Sequence, residues 1–379
     1  MKIVLDTRWV FPQLSGIGHY TTELVQALAE LAPPAEFILL CDRVEVRDRL
    51  LALPAVAANP RFQAADFPDG PFAPGAQWRL PRWLRRTRPA VYHAPNYLLP
   101  FLAFPRWRRG PTACVVTVHD LIPLQFRDHA PRARKNRLFF LFQWLMREMT
   151  ARADLLISPS TASQDAIRQL LPSRNGAPPV RVIPEGVPPA YRPAPRRARP
   201  YPELLYVGRF DPYKGVPTLI EALALVRQAV PNARLRLVGA EDPRYPEARQ
   251  TAARLGLTAA IQWVGYTSDD ALLDAYQQAD VLVLPSRCEG FGLPVIEAMA
   301  CGTPVVCSAG GSLPELADDA ALLCPFGDAA ALAAQLIRVL ENPALAADLR
   351  ARGLRRAAAF TWRRTAEQTW AAYQEAATR

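Results

Sequence analysis

Hydrophobic positions along this chain fall into short unbroken runs separated by longer stretches with a three-to-four-residue repeat. In the first half the short runs cover 3–5, 37–40, 90–93, 115–119, 155–158 and 180–183. Aliphatic runs of this length without alternation predict strands buried on both faces. Helical periodicity predicts a helix over 20–31 and another over 162–171, introduced by Ser160 and Thr161 and ended by Pro172. The second half restarts the pattern. Strands over 204–207, 234–238, 261–264, 281–284, 305–307 and 322–324 alternate with helices over 216–230, 246–255, 268–278, 293–300 and 329–340. Asp328 and the Asp-Asp pairs at 269–270 and 318–319 read as helix starts. Thr361 and Trp362 open a last amphipathic helix reaching residue 373. Strand and helix in alternation predict parallel sheets with crossover helices.

With 379 residues the chain exceeds what one hydrophobic core usually organises, so two domains are expected. Residues 187–202 hold six prolines, four arginines and no apolar periodicity, which reads as a linker. The expected organisation is a first α/β domain over 1–186, the linker, a second over 203–360 and a helix over 361–379 crossing back to the first. Both domains read as doubly wound, Rossmann-like parallel sheets facing a cleft.

The chemistry concentrates after two strands of the second half. Glu289 and Glu297 stand with seven residues between them, on a glycine-containing loop and the helix it opens. Ligands of open α/β sheets sit outside the carboxyl ends of the strands. A helix start there suits phosphate. Two glutamates are the wrong sign for phosphate but accept from hydroxyl groups, so the ligand should carry sugar as well. Arg209 and Lys214 follow the strand over 204–207 on a short Pro/Gly loop, where two cations can converge on one diphosphate. Lysine is rare here: only Lys2, Lys135 and Lys214 occur, leaving 42 of the 45 basic residues as arginine. Keeping lysine at 214 is therefore informative, since the two cations are not interchangeable toward phosphate. The plainer alternative is a solvated loop bearing a surface ion pair.

Composition excludes several other classes. The six cysteines are scattered with no Cys-x-x-Cys, which fits a reduced cytoplasmic setting. No Asp-x-Asp occurs and the four histidines are far apart, so no metal site is expected. Lys2 precedes only three apolar residues before Asp6, unlike a secretory leader. The longest apolar stretch, 138–146, is too short to span a bilayer. A net charge of +10 comes with arginine clusters at 79–88, 106–109 and 127–137. Arg132, Arg134, Lys135 and Arg137 lead into an aromatic stretch, which suits an interfacial helix at an anionic membrane face and equally a core helix with a charged end. No nucleic-acid module accompanies the charge.

Two segments of the first half complete the constellation. Gly16-Ile17-Gly18-His19 opens a helix after the first strand, where glycines admit close backbone approach to an anion. Val118-His119-Asp120 ends another strand; the imidazole can bond a sugar hydroxyl, and Asp120 can orient either His119 or an acceptor. Together these residues resemble family 4 of the retaining nucleotide-sugar glycosyltransferases, over nearly the whole chain. The resemblance implies the GT-B fold. It implies Arg209 and Lys214 on the donor diphosphate and Glu297 on the ribose. Glu289, with the backbone of Phe291, Gly292 and Leu293, would hold the transferred sugar, which His119 would also contact. Val264 and Tyr266 would lie by the base, Gly16 and Gly18 by the donor, His19 and Asp120 on the acceptor side.

Two departures accompany the likeness: His19 stands where many relatives carry arginine, and Ala240 follows Gly239 where a second glycine is frequent. The implied reaction is a metal-independent, configuration-retaining hexosyl transfer with no cofactor, in which two fixed cations take the metal's place. The glycine loop and the Val-His-Asp-Leu-Ile-Pro run look most like bacterial mannosyltransferases of surface polysaccharide assembly. That makes GDP-mannose the expected donor and a UDP-hexose the alternative, with a glycan or lipid-linked acceptor. A GT-B epimerase, a phosphorylase and a non-catalytic sugar-nucleotide binder are the competing readings.

Overall fold

The computed structural model describes residues 1–11, 16–106, 110–128, 132, 139–171 and 177–378. Arg108, Arg109, His129, Arg134, Lys135, Arg137 and Pro172, singled out above, lie outside the described residues. The chain divides into two compact units. One holds Met1–Leu124, Arg137–Gly186 and Trp362–Arg379; the other holds Gln125–Asn136 and Val187–Thr361.

The first unit is built on seven parallel strands: β1 (Lys2–Asp6), β2 (Glu36–Cys41), β3 (Phe62–Asp66), β4 (Val91–Ala94), β5 (Ala113–Thr117), β6 (Leu155–Ser158) and β7 (Val180–Val182). Their order is β3-β2-β1-β4-β5-β6-β7, so the sheet grows outward from β1 in both directions. Alternate residues of each strand feed two cores. Ile3, Leu5 and Val115 join the helices Gly16–Leu31 and Trp362–Thr378 on one face. Val4, Cys114 and Val116 join Leu80, Leu84, Met146 and Met149 of the helices Ala76–Thr87 and Phe139–Arg152 on the other.

The second unit repeats the plan with six parallel strands. These are β8 (Glu203–Val207), β9 (Arg234–Val238), β10 (Ile261–Gly265), β11 (Val281–Leu284), β12 (Val305–Ser308) and β13 (Leu322–Cys324), in the order β10-β9-β8-β11-β12-β13. All four residues of β11 are buried, as an unbroken apolar run requires of a central parallel strand. The strand order reverses between β8 and β11, which pair Leu205 with Leu282. That reversal is where a doubly wound sheet opens a crevice at its carboxyl edge.

Several expectations are corrected here. The helices Ala76–Thr87 and Pro343–Ala357, and the edge strand β3, were not anticipated by the periodicity. Asp318 does not start a helix: it ends the one at Leu313–Ala317, with φ at +50°. Residues 187–202 hold no strand or helix but are pinned by Arg199 to Glu203 and Asp280 and by Arg197 to Asp274. Gln125–Asn136, inside the expected first domain of 1–186, belongs instead to the second unit, where Asp128 pairs with Arg287.

Candidate functional site at the switch point of the second sheet

The loops after β8 and β11 are neighbours because their strands are. Beyond β8 the chain runs through Gly208 to Phe210, makes a single 3-10 turn at Pro212–Lys214, and enters the helix Val216–Ala229 through Gly215. Gly215 sits at φ +70°, and a Cβ there would lie 2.3 Å from the carbonyl oxygen of Pro285. Only glycine allows that approach. The Tyr206 hydroxyl donates to Arg209 O at 2.6 Å, and Arg287 N donates to Tyr213 O at 2.7 Å, so the two loops are tied by backbone.

This framework brings Lys214 and Glu289 together. The ammonium donates to both carboxylate oxygens, at 2.7 and 2.9 Å. Their side chains are 14% and 11% exposed, so the pair is largely withdrawn from water. Burial works against the Lys214 charge. The Glu289 carboxylate, with Tyr213 and Tyr206, outweighs it and holds the ammonium above its usual range. Arg209, on the same loop, is exposed and pairs with Asp211 at 3.1 Å.

A third loop, after β12, fixes the glutamate. Ser312 Oγ donates to Phe291 O at 2.7 Å and to Glu289 O at 3.1 Å. Gly311, at φ +62°, leaves room for the Glu289 carbonyl, which a Cβ would meet at 2.4 Å. Neither the glutamate spacing nor the rare lysine marks this loop; its sequence signal is the Gly310-Gly311 pair just after a strand. Glu297 lies one turn into the helix Leu293–Ala300, buried, and accepts from the Tyr276 hydroxyl at 2.7 Å. Burial first, and then the Glu297 charge, raise the Tyr276 phenol well above its usual range, so it stays a donor. Phe291 is buried; Gly292 and Leu293 form the helix entrance. Val264 is half-buried in β10, and Tyr266 just beyond it is exposed.

In the first unit His119 follows β5 and is held on both nitrogens. Nδ1 lies 3.1 Å from Glu185 and Nε2 lies 3.1 Å from Pro95 O, with the Tyr20 ring edge-on at 4.7 Å. The orienting carboxylate is Glu185, not Asp120. Asp120 accepts instead from Ile122 N two residues on, the local bond that short carboxylates favour in turns. Gly16 and Gly18 lie in the first turn of their helix, and His19 Nε2 is a buried atom with no partner among the described residues. Two buried networks went unread. Asp6 pairs with Arg8 at 2.6 Å and accepts from Tyr92. His93 bridges Thr117 at 2.8 Å and Tyr373 at 2.7 Å. Among the described residues no cluster of three or more His, Cys, Asp or Glu is placed to hold a metal ion.

The sequence profile described as Glycosyltransferase Family 4 matches residues 14–191, and that described as Glycosyl transferases group 1 matches residues 189–356. The O-antigen chain mannosyltransferase B of Escherichia coli is 30% identical over 99% of this chain and 100% of its own length. The chain is a family 4 glycosyltransferase. As such it is a hexosyltransferase of GT-B fold. A second relative of this glycosyltransferase, the MMP alpha-(1->4)-mannosyltransferase of Mycolicibacterium hassiacum, is 32% identical over 70% of the chain and 66% of its own length. Among solved structures, the sucrose-phosphate synthase of Thermosynechococcus elongatus superposes with a TM-score of 0.77 at 25% identity, covering 99% and 98% of the two chains. Anabaena HepE, solved with UDP, superposes with a TM-score of 0.72 at 19% identity, covering 99% and 100%.

Proposed function

We propose that this glycosyltransferase moves mannose from GDP-mannose to a glycan or lipid-linked acceptor in bacterial surface polysaccharide synthesis. On this reading it keeps the anomeric configuration, works without a metal and acts in a reduced cytoplasmic setting. The observation that carries the reading is the Lys214–Glu289 pair at the reversal between β8 and β11. Cleaving a nucleoside diphosphate from a sugar leaves negative charge on the phosphate and positive character on the carbon. Lys214 and Arg209 would meet the first, aided by the start of the Leu293 helix; each such donor contributes about 3 kcal/mol. A diphosphate competes for Lys214, and Glu289, freed from it, would accept from sugar hydroxyls beside the backbone of Phe291, Gly292 and Leu293. Glu297 would bind the ribose, and Val264 and Tyr266 would border the base. In the first unit Gly16, Gly18 and His119 are proposed donor contacts, and His19 and Asp120 proposed acceptor-side ones.

Mannose is supported by the names of the two mannosyltransferase relatives. No residue singled out in the sequence reads guanine against uracil, so a UDP-hexose is the second reading. Calorimetric titration with GDP-mannose and UDP-hexoses separates them: tight UDP binding without GDP binding ends the mannosyl version. NMR of the product should give the donor's anomeric configuration, and turnover should survive EDTA. An inverted product, or activity lost to EDTA and restored by magnesium, would remove the corresponding part.

A further inference from the structure

We propose that one face of the first unit, centred on the helix Phe139–Arg152, docks onto an anionic lipid bilayer. Residues 139–145 of that helix read Phe-Phe-Leu-Phe-Gln-Trp-Leu; none is fully buried, Phe142 packs half-buried against the core, and buried positions begin at Met146. Phe140, Leu141 and Trp144, left exposed along the first turns of a helix whose other half is a core element, are costly in water. The surface extends beyond the helix. Trp144 lies 6.3 Å from Phe101, next to Leu102, and Phe142 lies 5.3 Å from Tyr97. Tyr97 in turn neighbours Trp9, whose ring meets Phe72 at 5.2 Å. Gln77 donates to Leu99 O and accepts from Phe101 N, which joins the helix Ala76–Thr87 and its outward Trp78 to the same surface. Phe72, Trp78, Leu102, Phe140, Leu141 and Trp144 are 48–78% exposed, and they are six of the ten exposed large hydrophobic residues described.

Charge identifies the occupant. From Gly70 to His119 the sequence has eight arginines and no aspartate or glutamate, so this stretch supplies +8 of the net +10. The basicity is local rather than spread by composition. Arg79, Arg82, Arg85 and Arg86 are exposed on the Ala76–Thr87 helix, opposite its buried Ala76, Leu80 and Leu84. Glu148, the carboxylate on the Phe139–Arg152 helix, is buried and neutralised by Arg106 and Arg152. A second copy of this chain seated on the same face would set arginine against arginine. An anionic leaflet satisfies both features at once, with aromatics at the headgroup level and guanidinium groups on phosphate. No described helix is long and apolar enough to cross the membrane, so the contact is peripheral.

Flotation of the full-length protein with phosphatidylcholine vesicles, with and without phosphatidylglycerol, tests this. Binding should require phosphatidylglycerol and fall with salt. Replacing Arg82, Arg85 and Arg86 together by Gln should lower the partition coefficient about a hundredfold, at about fivefold for each arginine near an anionic leaflet. Phe140→Ser with Leu141→Ser should also weaken binding while leaving the salt slope in place. Both variants change exposed side chains only, so both melting transitions and the nucleotide affinity should stay at their wild-type values. Wild-type protein that does not float with phosphatidylglycerol at low salt overturns the proposal, as do two variants that float like wild type. So does a wild-type dimer that the serine variant disperses, which would make the face a self-association surface. Binding alone is read, so a failure here leaves the donor assignment standing.

Discussion

At the scale of single residues, Lys214 and Glu289 hold one another, and that pairing separates two explanations for each. A structural pair and a substrate-binding pair respond differently to removal. Lys214→Ala should lower kcat by about a hundredfold or more, the cost of one donor to developing charge. It should also destabilise the fold by about 1–3 kcal/mol, because Glu289 is left mostly buried without its partner. Lys214→Met combined with Glu289→Leu should regain most of that stability, since no lone buried charge remains, yet stay inactive. Thermal melts beside steady-state kinetics decide; turnover that returns with stability makes the pair structural only. The glutamate spacing and the rare lysine were legible in sequence because both are local patterns. Partner choice was not. Glu185 lies 66 positions from His119 and Tyr276 lies 21 from Glu297, and only the folded sheet brings them together. The nearest carboxylate in sequence, Asp120, was the natural guess for His119, but a backbone N–H two residues away competes for it at lower entropic cost.

Among the elements, the final helix is tied to the first sheet through a titratable group. His93 in β4 is fully buried and accepts or donates to Tyr373 on the helix Trp362–Thr378 and to Thr117 in β5. Burial, aided by nearby His119, pushes its pKa down to about 3, so it stays neutral in the fold. In the unfolded chain it titrates near 6.5. Between those values the unfolded state binds the extra proton. Stability from this group is therefore complete above about pH 6.5 and is lost as pH falls toward 3, at up to about 1.4 kcal/mol per pH unit. Denaturant midpoints at pH 7 and pH 4.5 should show that slope in wild type and a shallower one in His93→Gln; equal slopes would mean His93 is not the titrating group. The elements themselves were read unevenly, for physical reasons. Runs of Val, Ile and Leu marked the central strands to within one or two residues at most ends. Strand β3 escaped because it is an edge, with only Phe62, Ala64 and Ala65 apolar; the stacking of Phe62 on Phe37 at 4.5 Å holds it. The helix Pro343–Ala357 had a readable start, Asn342 capping Leu345 N with proline following, but its thin apolar stripe hid it. Four arginines and Pro81 similarly disguised the helix Ala76–Thr87 as charged surface.

For the whole molecule, the described buried clusters do not mix: one lies wholly in the second unit, and two belong to the first together with its returning C-terminal helix. Cores that share no side chains have no packing reason to melt together, so calorimetry of the intact chain should resolve two transitions. The groups proposed to meet the diphosphate, Arg209 and Lys214, stand on one loop of the second unit. A nucleoside diphosphate binding there stabilises that unit by RT ln(1 + [L]/Kd), about 2.7 kcal/mol at a hundredfold excess over Kd. For a unit of this size that moves a midpoint by roughly 5–10 °C. GDP should therefore shift one transition and leave the other where it was, and Lys214→Ala should abolish the shift without merging the two. If GDP moves both transitions together, the units are energetically coupled. If it moves only the transition that His93→Gln also perturbs, the nucleotide site belongs with the first sheet, and the assignment of Lys214 and Glu289 to the donor fails.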